Sequence, residues 1–116
     1  MSKNKEIGKK GESIAADYLI QKGYTLLERN YRYRRFEIDI IAQIKNTIVF
    51  IEVKTRQSLN YGYPEEAIDN RKIDHILDCA DHFINQNQWI GNIRFDIISI
   101  LFEPEFSIEH IEDAFY

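Results

Sequence analysis

The stretch EIDIIAQIKNTIVFIEVK, from Glu37 to Lys54, constrains the fold more than any other part of the chain. Two segments rich in Ile and Val flank Lys45 and Asn46, so residues 36–44 and 47–55 read as the strands of an antiparallel hairpin. A loop of Lys45-Asn46, or of the four residues 44–47, gives cross-strand pairs whose numbers sum to 91. Asp39 then stands opposite Glu52, and Glu37 opposite Lys54. Directly opposed residues point to one face with Cβ atoms roughly 4.5–5.5 Å apart. Residues 37, 39, 52 and 54 would form one polar patch in an otherwise apolar hairpin. A three-residue loop would shift the register by one and send Asp39 and Glu52 to opposite faces.

Around this hairpin the other elements follow from periodicity. Ile7, Ile14, Ala15, Tyr18 and Leu19 share a face of a helix over 5–22. Gly8 and Gly11 weaken its first turns and predict a late start, and Gly23 stops it. Residues 24–33 read as a first strand, and QSLNYGY at 57–63 as a loop. Pro64 suits the first turn of a helix, with Glu65 and Glu66 as its N-terminal acids. Residues 71–86 form the clearest helix, with Ile73, Ile76, Leu77, Ala80, Phe83 and Ile84 in one apolar stripe. Gly91-Asn92 is a turn, 93–102 a strand apolar enough for burial on both faces, and 106–111 an edge strand. The order is α-β-β-β-α-β with a late strand. A right-handed crossover sets the last core strand parallel to the hairpin's second strand. The expected fold is α/β, a central mixed sheet flanked by helices, in a single domain over 1–116.

A chain of 116 residues with 44% hydrophobic and 29% charged content can bury a core without disulfides or a structural metal. No apolar run approaches the ~20 residues of a membrane span. The charged N-terminus lacks the apolar stretch of a signal peptide, and a lone Cys79 cannot form an internal disulfide. A cytoplasmic location without membrane contact is therefore expected. The net charge of −4 argues mildly against nucleic acid as a partner, but its distribution is uneven. Residues 1–35 hold nine basic and four acidic residues, net +5, and the remainder is net −9. A basic N-terminal third can face phosphates; a solvated charged surface accounts for the same distribution.

Two opposed carboxylates repel, and a divalent cation is a natural compensation. Mg²⁺ (or Mn²⁺) takes one or two carboxylates together with waters and phosphate oxygens, here Asp39, Glu52 and the Val53 carbonyl. Lys54, on the same face as Glu52, can orient water or neutralise charge on a phosphoryl oxygen. That combination suits phosphodiester hydrolysis. The plainer reading is a half-solvated hairpin with a surface ion pair worth under ~1 kcal/mol.

Elsewhere, Arg29, Arg32, Arg34 and Arg35 interleave with Tyr31, Tyr33 and Phe36, a mixture that suits phosphate contact with stacking. A charged strand edge explains it as well. Arg56 either contacts a phosphate or closes its strand with a surface charge. Arg94 and Asp96, two apart on the last core strand, can pair side by side and read as scaffold or as support behind the site. His75, Cys79 and His82, off the apolar stripe of the long helix, have a spacing that could bind zinc, without an evident fourth ligand.

Asp39 followed by Glu52-Val53-Lys54 resembles the D…(D/E)-x-K core of the restriction-endonuclease-like nucleases. The wider set GKKGESIAADYLIQKGY, LLERNYR, EIDIIA, VFIEVKTR, GYPEEAI with Lys72, and RFDIISI resembles the YraN family of uncharacterised bacterial proteins. The resemblance covers nearly the whole chain. It implies a restriction-endonuclease-like fold, similar in plan to archaeal Holliday-junction resolvases, and a site of Glu12, Asp39, Glu52 and Lys54. Glu12 would lean from the first helix toward the metal; it is equally a first-turn acid favoured by the helix dipole. Lys72 matches a family position and would contact substrate, though exposed lysines are ordinary. The implied substrate is nucleic acid, DNA before RNA and branched or linear, and resolvase-like proteins pair as homodimers. Family members usually carry Gly before Glu-Ile-Asp; here Phe36 stands there, narrowing the cleft or offering a ring to a base.

Overall fold

The computed structural model describes residues 3–58 and 70–116. Its elements run α1 (Lys3–Gln21), β1 (Thr25–Tyr33), β2 (Phe36–Ile44), β3 (Thr47–Arg56), α2 (Asn70–Gln86), β4 (Asn92–Leu101) and β5 (Ser107–Ile111). The expected order holds, including the late strand. Residues 59–63 of the expected loop, Pro64, Glu65 and Glu66 lie outside the described residues.

The strands form one sheet in the order β1-β2-β3-β4-β5. Among the described strands only β3 and β4 run parallel, as the crossover between them requires; the other neighbours are antiparallel. The β2–β3 loop is the two-residue Lys45-Asn46, and Ile44↔Thr47 through Ile40↔Ile51 keep the register read from the sequence. Lys45 takes φ +52, the left-handed conformation typical of so short a connection.

Both faces of the sheet are covered. Leu19, Ala15 and Ala16 of α1 pack on Ile40, Ala42, Val49, Ile51, Val53, Ile98 and Ile100. Ile76, Cys79, Ala80 and Phe83 of α2 pack on Ile38, Ile41, Ile48, Phe50 and Phe95. Double coverage explains why β3 and β4 are nearly continuous apolar runs. This five-stranded mixed sheet with a helix on each face is compatible with a restriction-endonuclease-like core.

α1 starts at Lys3 rather than late, and both early glycines lie inside it. Gly11 has a packing reason: a Cβ there would collide with the Thr55 side chain of β3. The entropic cost of a helical glycine is accepted for close helix–sheet approach. Cys79 is not off the apolar stripe but fully buried within it, with Sγ facing the carbonyls of Tyr31 and Phe36.

β5 and the C-terminal turn are pinned by a buried polar network. Asp96 is fully buried. Arg94 donates to both its oxygens at 2.9 Å, His110 Nε2 lies 2.7 Å from Oδ2, and the Asp113 N–H donates to Oδ1 at 3.0 Å. Arg94 also donates to the Tyr24 hydroxyl at 2.7 Å, and Tyr18 reaches His110 Nδ1 at 3.1 Å. Burial alone would raise the Asp96 pKa; the bonds from His110, Arg94 and Asp113 outweigh it and hold the carboxyl below its usual range. The scaffold reading of Arg94 and Asp96 therefore describes what they do.

Candidate active site

The pairing of β2 with β3 ends at Ile40↔Ile51, although β2 begins at Phe36 and β3 runs on to Arg56. Past that point β2 pairs only with β1, and β3 only with β4. A gap opens between the two central strands, and Asp39 and Glu52 are the first residues on its two sides. The side-chain alternation of β2 also slips here. Ile38 packs with the α2 cluster and Ile40 with the α1 cluster, so the intervening Asp39 stands where the pleat is broken. Asp39 Oδ2 accepts the Val53 N–H at 2.8 Å, taking the place of the missing backbone acceptor. In a strand, the N–H and C=O of one residue point the same way, so the Val53 carbonyl faces the gap too.

Glu52 lies on the α2 side of β3 and is only 5% exposed. Two ammonium groups meet its Oε1: Lys72 from the first turns of α2 at 3.0 Å and Lys54 at 3.6 Å. Asp39, Glu52, Lys72, Arg35, Phe36, Glu37, His75 and Ile76 line a cleft of about 270 Å³.

The electrostatics of the cleft are strained. Burial, and then the neighbouring Glu52, push the Asp39 carboxyl up to about 8 against the favourable Val53 N–H. Burial lowers the Lys54 pKa, with Glu52 only partly offsetting it. At Lys72 burial acts in the same sense, but Glu52 wins and the pKa is raised. Two carboxylates that resist sharing negative charge, beside an inward-facing carbonyl, form an all-oxygen donor set that fits Mg²⁺ or Mn²⁺.

The remaining expected residues scatter more widely. Glu12 lies close enough to raise the Asp39 pKa, but its Oε1 accepts from Asn30 Nδ2 at 2.9 Å. It lines a neighbouring groove of about 450 Å³ with Lys5, Lys9, Asn30, Arg32 and Glu37. Glu37 does not face Lys54 as the extended register suggests. The strands have parted by then, and Glu37 pairs with Arg32 at 3.2 Å. Arg34, at φ +59, lies over the Tyr33 ring on the far side of Phe36, in a pocket with Asp78 and Asp81. Of the expected arginines only Arg35 lines the carboxylate cleft. Arg56 ends β3 with Nη1 on the Thr55 carbonyl at 3.2 Å.

His75, Cys79 and His82 do not converge on a metal. His75 stacks on Phe36 with centroids 4.1 Å apart and planes 13° apart. His82 stacks on Tyr33 at 4.0 Å and bonds the Tyr31 hydroxyl at 2.7 Å. All three fasten α2 to β1 and β2. Among the described residues, no group of three or more His, Cys, Asp or Glu side chains is arranged to hold a metal. Phe36 therefore packs on α2 at the cleft wall. Sequence reasoning missed the grip of Lys72 on Glu52 and of Asn30 on Glu12. Asn30 takes φ +53, a conformation Asn tolerates well, and nothing in the sequence marks its contact with Glu12.

Among the described residues, no helix is long and apolar enough to cross a membrane. The family model described as Uncharacterised protein family UPF0102 matches residues 11–100, which hold every element that shapes the cleft. A UPF0102 protein of Flavobacterium psychrophilum is 42% identical over 117 residues, covering 100% of this chain and 98% of its own length. A relative from Persephonella marina is 47% identical over 109 residues, covering 93% of this chain and 91% of its own. One from Alkaliphilus oremlandii is 46% identical over 117 residues, covering 97% and 99%. With a family model matching residues 11–100 and full-length likeness to these proteins, the chain belongs to the uncharacterised UPF0102 family, the YraN family.

Proposed function

We propose that this protein is a divalent-cation-dependent nuclease that hydrolyses phosphodiester bonds of nucleic acid, DNA before RNA. The observation that carries the reading is the end of the β2–β3 ladder at Ile40↔Ile51, which leaves Asp39 and Glu52 flanking a gap beside two ammonium groups. Asp39, Glu52 and the Val53 carbonyl would hold Mg²⁺ or Mn²⁺. The cation, when bound, supplies Lewis-acid polarisation of the phosphoryl group. Lys54, held 13% exposed beside Glu52, stabilises negative charge that develops on the phosphoryl oxygens. Arg35 and Lys72 at the cleft mouth bind flanking phosphates. Glu12, tied to Asn30, adds negative potential near Asp39 and acts at one remove from the reacting atoms.

Incubation with branched, flapped and linear DNA and with RNA, in Mg²⁺ or Mn²⁺, tests this. Cleavage should fall by at least ~10²-fold in Asp39→Asn and Glu52→Gln. Activity unchanged in both would rule the site out.

A second reading is a nucleic-acid-binding or adaptor module that keeps the fold without catalysis. It is favoured by Glu12 and Glu37, which are committed to Asn30 and Arg32 rather than to the gap. Under that reading binding survives Asp39→Asn and Glu52→Gln but falls when Arg32, Arg34 and Arg35 become Ala, and no substrate is cut.

A further inference from the structure

Two lysines meet one carboxylate oxygen of the cleft, and they are not equivalent. Lys54 comes from the same strand as Glu52, two residues on, so its position is set by β3 itself. Lys72 comes from a different element and reaches Glu52 across the cleft from α2. Its contact is the shorter, 3.0 against 3.6 Å. Its side chain is also the more open, 41% exposed against 13% for Lys54. A carboxylate as enclosed as Glu52 needs a counter-charge at all times. Lys72 is thus the counter-ion more open to solvent, and Lys54 the more enclosed one.

We propose that Lys72 is an internal counter-ion that occupies Glu52 until a divalent cation takes its place, whereupon the released ammonium turns to a substrate phosphate. The inference rests on the metal site of the nuclease reading and adds an order of events to it. The physical reason is competition for a single anion. A dication delivered to Asp39 and Glu52 repels ammonium groups a few ångströms away, and the more open side chain retreats more readily. The Lys72 stem, anchored on α2, keeps the ammonium at the cleft mouth once it lets go, beside Arg35. Cation and phosphate binding would then be positively coupled, each strengthening the other to the same extent.

The test is Mn²⁺ affinity of the full chain, read by the electron paramagnetic resonance signal of free Mn²⁺ and by titration calorimetry. Neither measurement requires cleavage. Lys72→Met should tighten Mn²⁺ binding by about tenfold, and Lys72→Arg should leave it near wild type. Lys54→Met removes an equal charge beside the same oxygen and should tighten binding by about threefold or less, because that ammonium does not compete for the open side. Lys72→Gln serves as a second neutral variant if Lys72→Met folds poorly. Tightening in Lys54→Met equal to or greater than in Lys72→Met would reduce the effect to bulk charge and overturn the proposal. So would no change, weaker binding in Lys72→Met, or no Mn²⁺ binding by any variant. A chain that shows the Lys72 effect yet cuts no nucleic acid would keep this inference and sink the nuclease reading.

Discussion

A protonated Asp39 accepts the Val53 N–H and lies beside Glu52 without repulsion, whereas an ionised Asp39 adds a second negative charge to a half-closed gap. Its pKa in the folded chain is about 8, above the ordinary value of 3.8. Between those values the native state holds a proton that the unfolded chain has released. The stability tied to this group is complete below the ordinary carboxylate range and is lost as pH rises through about 8. Asp39→Asn removes that dependence and keeps an acceptor for Val53. Without divalent cations, the variant should melt clearly above wild type at about pH 9, and close to it at about pH 4. Melting curves in a chelator check this, and an equal offset at both pH values would refute it. The acids themselves were legible, because charged residues inside an Ile/Val hairpin stand out. Their partners were not, since Lys72 and Asn30 reach the site from α2 and β1, and sequence spacing carries no signal for such contacts.

Among the elements, α1 lies close to β3 because position 11 has no side chain. Gly11→Ala improves intrinsic helix propensity by about 1 kcal/mol, yet drives a methyl into Thr55. Overpacking dominates, and a net loss of roughly 1–2 kcal/mol in urea unfolding is expected. Adding Thr55→Ala should recover much of that loss, since the two side chains share one space. At the other edge of the sheet, β5 depends on Asp96. Asp96→Ala removes the acceptor shared by Arg94, His110 and the Asp113 N–H, leaving Arg94 only Tyr24 and Glu112, and should cost about 3–5 kcal/mol, measured by denaturant unfolding. The Asp96 contribution in wild type is present above the ordinary carboxylate range and disappears only as pH falls through its depressed pKa. Element boundaries and the β3–β4 parallel pairing followed from apolar periodicity and crossover handedness. The early start of α1 did not, because glycine propensity is local and the space beside Thr55 is tertiary.

Across the whole molecule, the charge asymmetry acquires a geometry. Lys5, Lys9 and Arg32 of the basic N-terminal third line one groove, Arg35 and Lys72 line the carboxylate cleft, and Glu37 borders both. A nucleic-acid strand following the positive side chains would be led to Asp39 and Glu52. Arg35→Ala should lower the slope of log affinity against log salt by about 0.9 for duplex DNA. Arg34→Ala should change it less, because Arg34 lies over Tyr33 near Asp78 and Asp81. Fluorescence anisotropy over a salt series checks this; equal slopes for the two variants would deny Arg35 its place in the track. The sequence by itself determined the element order and the two carboxylates and tied the hairpin register to the length of its loop, because each depends on local periodicity or turn geometry. The tertiary structure alone decided that β2 and β3 part after Ile40↔Ile51, that Lys72 crosses from α2 to Glu52, and that Glu37 turns to Arg32 instead of Lys54. Those outcomes arise where separate elements compete for the same space and charge, and that competition exists only once the sheet has its helices on both faces.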